Sequence, residues 1–187
     1  MSDIPRYLPL SHRPRHDESG VTGDWAPRLA AVLELLAAFP RADLQASDEV
    51  ARLAWRLRAN RRARLGAKLR RREPTSMSDD QGAVLRSIAA ETGRRRALGD
   101  LACAVVATLD VASATQRPVE LDPVSLGAVG VARALSAPLP IRAVLAGVTL
   151  VAADGDWAVG RGPEQRAAGA DIVRFLYGRT GVPPALS

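Results

Sequence analysis

The stretch that most restricts what this chain can fold into lies near its C-terminal end, Asp156 to Arg179, DWAVGRGPEQRAAGADIVRFLYGR. Ahead of it, Ala146 to Ala153 is apolar and rich in small and β-branched residues, and it runs into Asp154-Gly155. That dipeptide suits a tight hairpin turn, because both positions tolerate positive φ. A strand is therefore expected to arrive at residue 153, turn, and return through Asp156, Trp157, Ala158 and Val159. Gly160-Arg161-Gly162 ends the return strand. Pro163 then pre-sets a first helical turn, and Glu164 complements its N-terminal dipole. Ala170, Val173, Phe175, Leu176 and Tyr177 supply the apolar side of a closing helix that stops at Gly178.

The rest of the chain reads as helical. Its 187 residues suffice for one ordinary domain. Of these, 47% are hydrophobic but only 4% aromatic, so the apolar content is mostly Ala, Leu and Val and favours helices packed through small side chains. The expected class is mainly α, a helical bundle with a small C-terminal β-hairpin plus helix. It divides into an extended N-terminal arm over 1–23, a bundle over 24–137, and a hairpin-helix unit over 138–187 packed on the bundle. The prolines and glycines of the arm, Pro5, Pro9, Pro14, Gly20 and Gly23, argue against regular structure there. No run approaches the length of apolar residues that spans a bilayer, and the first residues lack a signal-peptide core, so the expectation is a cytoplasmic chain without membrane partners. Cys103 is the single cysteine, which excludes an internal disulfide.

Asp24 is the expected cap of a first helix through Leu29, Val32, Leu33, Leu36 and Ala37, which Phe39-Pro40 ends. Ser47 or Asp48 caps a longer second helix. There Val50, Leu53 and Leu57 start an inward stripe that continues onto Arg61, Arg64 and Lys68. Ten basic residues and no acid lie between Glu49 and Glu73, within a chain of net charge +6. The run reads first as a solvated helix end whose cations complement the macrodipole. Its alternative reading is an anion or nucleic-acid surface through Arg58, Arg62, Arg64 and Lys68. Arg61, in the middle of the apolar stripe, either snorkels outward or carries charge into a pocket. A third helix begins near Ser78 and ends at Gly93. A central helix follows from Arg94 to Thr115, and a fifth opens at Asp122-Pro123 and runs to about Ser136, where Pro138 and Pro140 break the chain.

One face of the central helix presents Asp100, Cys103, Ala107 and Asp110. Its two carboxylates are about 15 Å apart, too far for an adjacent acid/base pair. Cys103 among Ala and Val reads first as a small core residue. His12 and His16 have the four-residue spacing of a helical metal site, but Pro14 lies between them. There is no phosphate loop, no Ser-His-Asp set and no Cys/His cluster.

The motif of Asp156, Trp157, Gly160, Gly162, Pro163, Glu164 and Arg166, closing on Gly178-Arg179, resembles the end of the actinobacterial maleylpyruvate-isomerase-like proteins. These belong to the DinB-like superfamily of metal-dependent, often mycothiol-dependent, helical bundles. Leu101 to Pro118 is similar to that family's last bundle helix, so the likeness covers Leu98 to Gly181. It implies a DinB-like bundle with a ligand cavity between bundle and C-terminal unit. When Asp110 is placed on the family's aspartate, however, the metal-ligand positions fall on Cys103 and Ala107, and no histidine stands in the first two helices. The resemblance therefore implies a member that has lost its metal site, with no metal and no cofactor. Its expected partner is a small anionic organic molecule, bound or acted on through pocket candidates Arg61, Asp100, Cys103, Ala107 and Asp110. The competing expectations are a nucleic-acid-associated or regulatory protein using the basic helix 52–72, or a protein-partner subunit.

Overall fold

A computed structural model describes residues 23–59 and 80–184. Residues 1–22 of the expected arm, with His12 and His16, and Arg61, Arg62, Arg64 and Lys68 lie outside the described residues. The described residues form eight helices and one three-stranded sheet: α1 (Ala26–Ala37), α2 (Arg41–Ala46), α3 (Asp48–Arg58), α4 (Gln81–Ala89), α5 (Leu98–Thr115), α6 (Pro123–Leu135), α7 (Leu139–Leu145), β1 (Thr149–Ala152), β2 (Ala158–Gly160), β3 (Glu164–Ala167) and α8 (Gly169–Leu176). The chain is thus mainly helical, with its sheet near the C-terminus.

Local chemistry accounts for most helix starts. Ser47 Oγ accepts from the amide of Val50, Asp80 Oδ1 from Ala83, and Asp122 from Val124 and Ser125 ahead of Pro123 at the first position of α6. Asp24 accepts from Ala26 at the head of α1 and also from the amide of Arg96, both at 3.0 Å. Arg96 is only 6% exposed. Its guanidinium donates to the Leu57 carbonyl in the last turn of α3 and to Glu91, satisfying a helix end with a buried cation. α5 is long and apolar enough in composition to cross a bilayer, which the sequence reading had not expected, but most of it is buried in the bundle. Leu101, Ala104, Val105 and Ala107 meet Leu29, Leu33 and Leu36 of α1, Leu53 and Leu57 of α3, and Leu85 of α4 in the main core.

Two expectations for helices are corrected. α3 ends at Arg58, and Ala59 is extended with ψ of 135°, so the helix begun at Asp48 does not run on unbroken through Ala59, and its described stripe closes at Leu57. The prolines at 138 and 140 do not simply break the chain. They sit at the cap and second position of α7, where a missing amide costs no intrahelical bond.

The C-terminal unit also differs from a hairpin followed directly by a helix. β1 pairs antiparallel with β2 and parallel with β3, in the order β2-β1-β3. Glu164 therefore opens a strand, and the helix begins at Gly169. Residues 161–163 carry the chain beneath the start of β1 from one edge of the sheet to the other. Thr149 donates there from its amide to Pro163 and from its hydroxyl to Gly162, each at 2.9 Å. The crossing requires glycine at 160, where φ is +103° and a Cβ would stand 2.1 Å from the Val148 carbonyl oxygen. Asp154-Gly155 does not form a tight turn with positive φ. Asp154 instead accepts from the Gly169 amide at 2.8 Å and so caps α8 from across the sheet.

Trp157 joins the two halves. A small core of Leu150, Ala152, Val159, Ala167, Ile172, Phe175 and Leu176 lies between sheet and α8, and the indole packs against both this core and the main one. It lies in a cradle of glycines. A Cβ added at Gly127, Gly130, Gly155 or Gly169 would stand between 2.8 and 3.1 Å from its ring atoms. The indole nitrogen is buried without an acceptor, so fit rather than hydrogen bonding holds the ring. Trp157→Ala is expected to lower unfolding stability by about 3–5 kcal/mol, read from urea denaturation. Gly130→Ala gives a test of opposite sign: helix propensity alone would stabilise by about 1 kcal/mol, whereas a tight cradle makes the variant less stable by about 1–3 kcal/mol.

Candidate functional site

Because Trp157 fixes α8 against α6, the residues after α8 are laid across α5 toward α3. The result is a cleft of about 260 Å³ lined by Arg52, Leu53 and Arg56 of α3, Cys103 and Val106 of α5, and Tyr177 and Arg179, with Glu49 at one end. Positions 49, 52, 53 and 56 share one face of α3, and 103 and 106 share one face of α5. Leu53 and Val106 make an apolar wall, and three guanidiniums and one carboxylate edge it.

The charges are paired across elements. Arg179 donates to Glu49 at 3.1 Å and to Asp110 at 2.8 Å, and Arg52 holds the same Glu49 oxygen at 3.1 Å. Arg56 Nε lies 3.4 Å from Asp100, a buried carboxylate. Tyr177 is half-buried with the Arg133 guanidinium 4.8 Å above its ring centre, and Arg133 also donates to the Leu176 carbonyl at the end of α8. Burial pushes the Tyr177 phenol above its ordinary pKa, with nearby Arg133 acting in the opposite sense, so it stands as a neutral hydroxyl at physiological pH. Burial likewise raises the Asp110 carboxyl, and Arg179 offsets that rise only in part.

The sequence candidates separate on this geometry. Cys103 lines the cleft. Asp100 and Asp110 stand behind it as partners of Arg56 and Arg179, rather than on its wall. Ala107 is 2% exposed and belongs to the main core, because one residue beyond Val106 turns the helix away from the cleft. Arg58 is exposed and does not line the cleft, and the other basic candidates lie outside the described residues. Glu49, Arg52, Arg56 and Tyr177 were not singled out as pocket residues from sequence. The spacing of 49, 52 and 56 shows a shared helical face, but nothing local ties that face to Arg179.

The described residues of the cleft do not make a metal-ligand set. Of the two positions that the family resemblance marks as ligands, Ala107 offers no donor atom and is sealed in the core, leaving Cys103. Among the described residues no three His, Cys, Asp or Glu side chains come together as a metal site. What the cleft can do is hold negative charge on planar donors beside an apolar wall, with a phenol and a thiol in reach.

Comparison of the chain with protein-family models, with curated proteins and with solved structures finds no match.

A carboxyl whose pKa is raised by folding contributes stability below its unfolded value, near 3.9, and loses it as pH rises through the folded value. The stability of the parent chain relative to Asp110→Asn is therefore expected to be greatest near pH 3.5 and to decline toward pH 7. Urea denaturation at three pH values checks this. A difference that grows with pH would show that Arg179 outweighs burial.

Proposed function

We propose that this protein is a metal-free relative of the maleylpyruvate-isomerase-like bundles that binds a small organic carboxylate in the cleft between α3, α5 and the end of α8. One observation carries the reading. Arg52 and Arg179 already converge on one oxygen of the Glu49 carboxylate, a position suited to a carboxylate oxygen of an anionic ligand. Leu53 and Val106 offer the apolar surface for the ligand's carbon frame, and Tyr177 a neutral hydroxyl donor. The cleft's volume of about 260 Å³ lies just below the roughly 300–1,000 Å³ of drug-sized ligand pockets, which suits a small metabolite. The place of the cleft, between bundle and C-terminal unit, agrees with the cavity that the resemblance of the Asp156–Arg179 motif implies. Chemistry in such a cleft proceeds by positioning and by arginine stabilisation of developing negative charge, with no metal step.

The reading makes Glu49 a resident competitor. Titration calorimetry with a panel of maleate, fumarate, succinate and benzoate is expected to show binding of at least one. Arg52→Ala should weaken that binding about tenfold, the loss of one charge-assisted pair. Glu49→Ala should strengthen it by about the same factor, while Arg166→Ala on β3 leaves it unchanged. Weaker binding in Glu49→Ala, or none in the parent chain and none in Glu49→Ala, would sink the assignment.

A further inference from the structure

α6 carries two apolar faces. The inner one puts Leu126, Gly127, Val129 and Gly130 against the core and the indole of Trp157. The outer one carries Val124, Val131 and Leu135, with Ala128, half-buried against the main core, between the first two; the four are spaced four, three and four residues apart, the seam spacing with which two helices interlock side by side. Val124 is 55% exposed, Val131 41% and Leu135 83%, and Leu139 at the start of α7 extends the patch at 72%. Single exposed apolar residues are ordinary on a protein surface, but a continuous seam of them marks a contact surface.

The surroundings of this seam are charged with opposite sign at its two ends. At the start of α6, the loop 154–156 lies against Pro123, where a Cβ on Gly155 would be 3.3 Å from the proline ring, and it presents Asp156 to solvent. At the other end, a hollow of about 480 Å³ between α6, α7 and β2 is edged by Val131, Leu135, Arg142 and Arg161. Among the described residues none of Asp156, Arg142 and Arg161 enters an ion pair. A surface with an acid at one end, two arginines at the other and an apolar seam between them is complementary to itself turned end for end.

We infer that this face is a homodimer interface in which α6 packs antiparallel against α6 of a second copy about a two-fold axis. Such an axis passes between Ala128 and Val131. Val124 of one copy then faces Leu135 of the other beside the hollow, and Ala128 faces Val131, so larger and smaller side chains alternate along the seam. Asp156 of each copy is brought to the Arg142–Arg161 end of the other. The antiparallel helix dipoles are aligned favourably. The arginine-edged cleft is built from α3, α5 and the end of α8 and contributes no residue to this seam, so the dimer does not rest on the ligand assignment.

Sedimentation equilibrium of the full chain at micromolar concentrations tests the inference, with circular dichroism to confirm that each variant is folded. The expected mass is twice the 19.8 kDa of one chain. Leu135→Glu, at a position too exposed to matter for folding, should raise the dimer dissociation constant about tenfold or more. Asp156→Arg should weaken the dimer too, and Asp156→Arg combined with Arg142→Asp and Arg161→Asp should restore it, a rescue that a merely hydrophobic patch would not give. A parent chain that sediments at 19.8 kDa overturns the inference. So does a dimer indifferent to Leu135→Glu and Asp156→Arg, since its interface lies elsewhere. A monomer that instead co-sediments with phosphatidylcholine vesicles, and stops doing so as Leu135→Glu, overturns it and assigns the face to lipid.

Discussion

The fit of one indole into a cradle of glycines sets the arrangement of everything C-terminal to the bundle. Gly127 and Gly130 on α6 leave a smooth strip on a helix that would otherwise hold its neighbour off by the width of a methyl group. Trp157 fills that strip and reaches both cores. Gly155 and Gly169 close over it from the sheet loop and the head of α8. Dense packing of this kind allows little sliding, so the register of α8 on α6 is set, and with it the point at which Tyr177 and Arg179 cross α5.

A second layer of specificity is ionic. In a chain so rich in arginine, several of the described acids tie distant segments together. Asp24 holds the amide of Arg96, whose side chain closes the end of α3. Asp122 caps α6 while binding Arg28 of α1. Burial alone would raise the Asp122 carboxyl, but bonds from Ser125 and Val124 and the charge of Arg28 outweigh it and hold its pKa below the ordinary carboxylate range. Asp110 and Glu49 receive Arg179 from the far end of the chain. Exposed pairs of this sort contribute little energy singly. Their value here is geometric, since they aim the guanidiniums that edge the cleft and keep them from splaying into solvent.

The cleft shows how far residue patterns reach. The stripe of α5 could be read at once, and Cys103 and Asp110 were picked out on one of its faces. Which side of that face would be covered was not readable, because a step of one residue around a helix is 100°. That step separates Val106 on the cleft from Ala107 in the core. Arg61 was favoured for the pocket on the assumption of one unbroken helix. Arg61 lies outside the described residues; Ala59 ends α3, and on the described part of that helix it is Arg52 and Arg56 that edge the cleft. The glycines of the C-terminal motif were legible as punctuation but not as partners of a tryptophan, because the contact joins residues from three segments.

The sequence by itself determined the helical class, the cap at Asp122, a cap at Ser47 or its neighbour Asp48, the buried character of α5 and the presence of a strand-bearing unit after Leu145. These follow from periodicity and from hydrogen bonds between near neighbours in the chain, which any short stretch carries within itself. Only the tertiary structure decided that Glu164 begins a parallel edge strand rather than a helix, that Asp154 caps α8 rather than forming a tight turn, and that Arg179 meets Glu49. The reason is the same in each case. The competing local conformations differ by about a kilocalorie per mole or less, and the choice falls to contacts between residues far apart in sequence, which exist only once the indole and the two cores have brought them together.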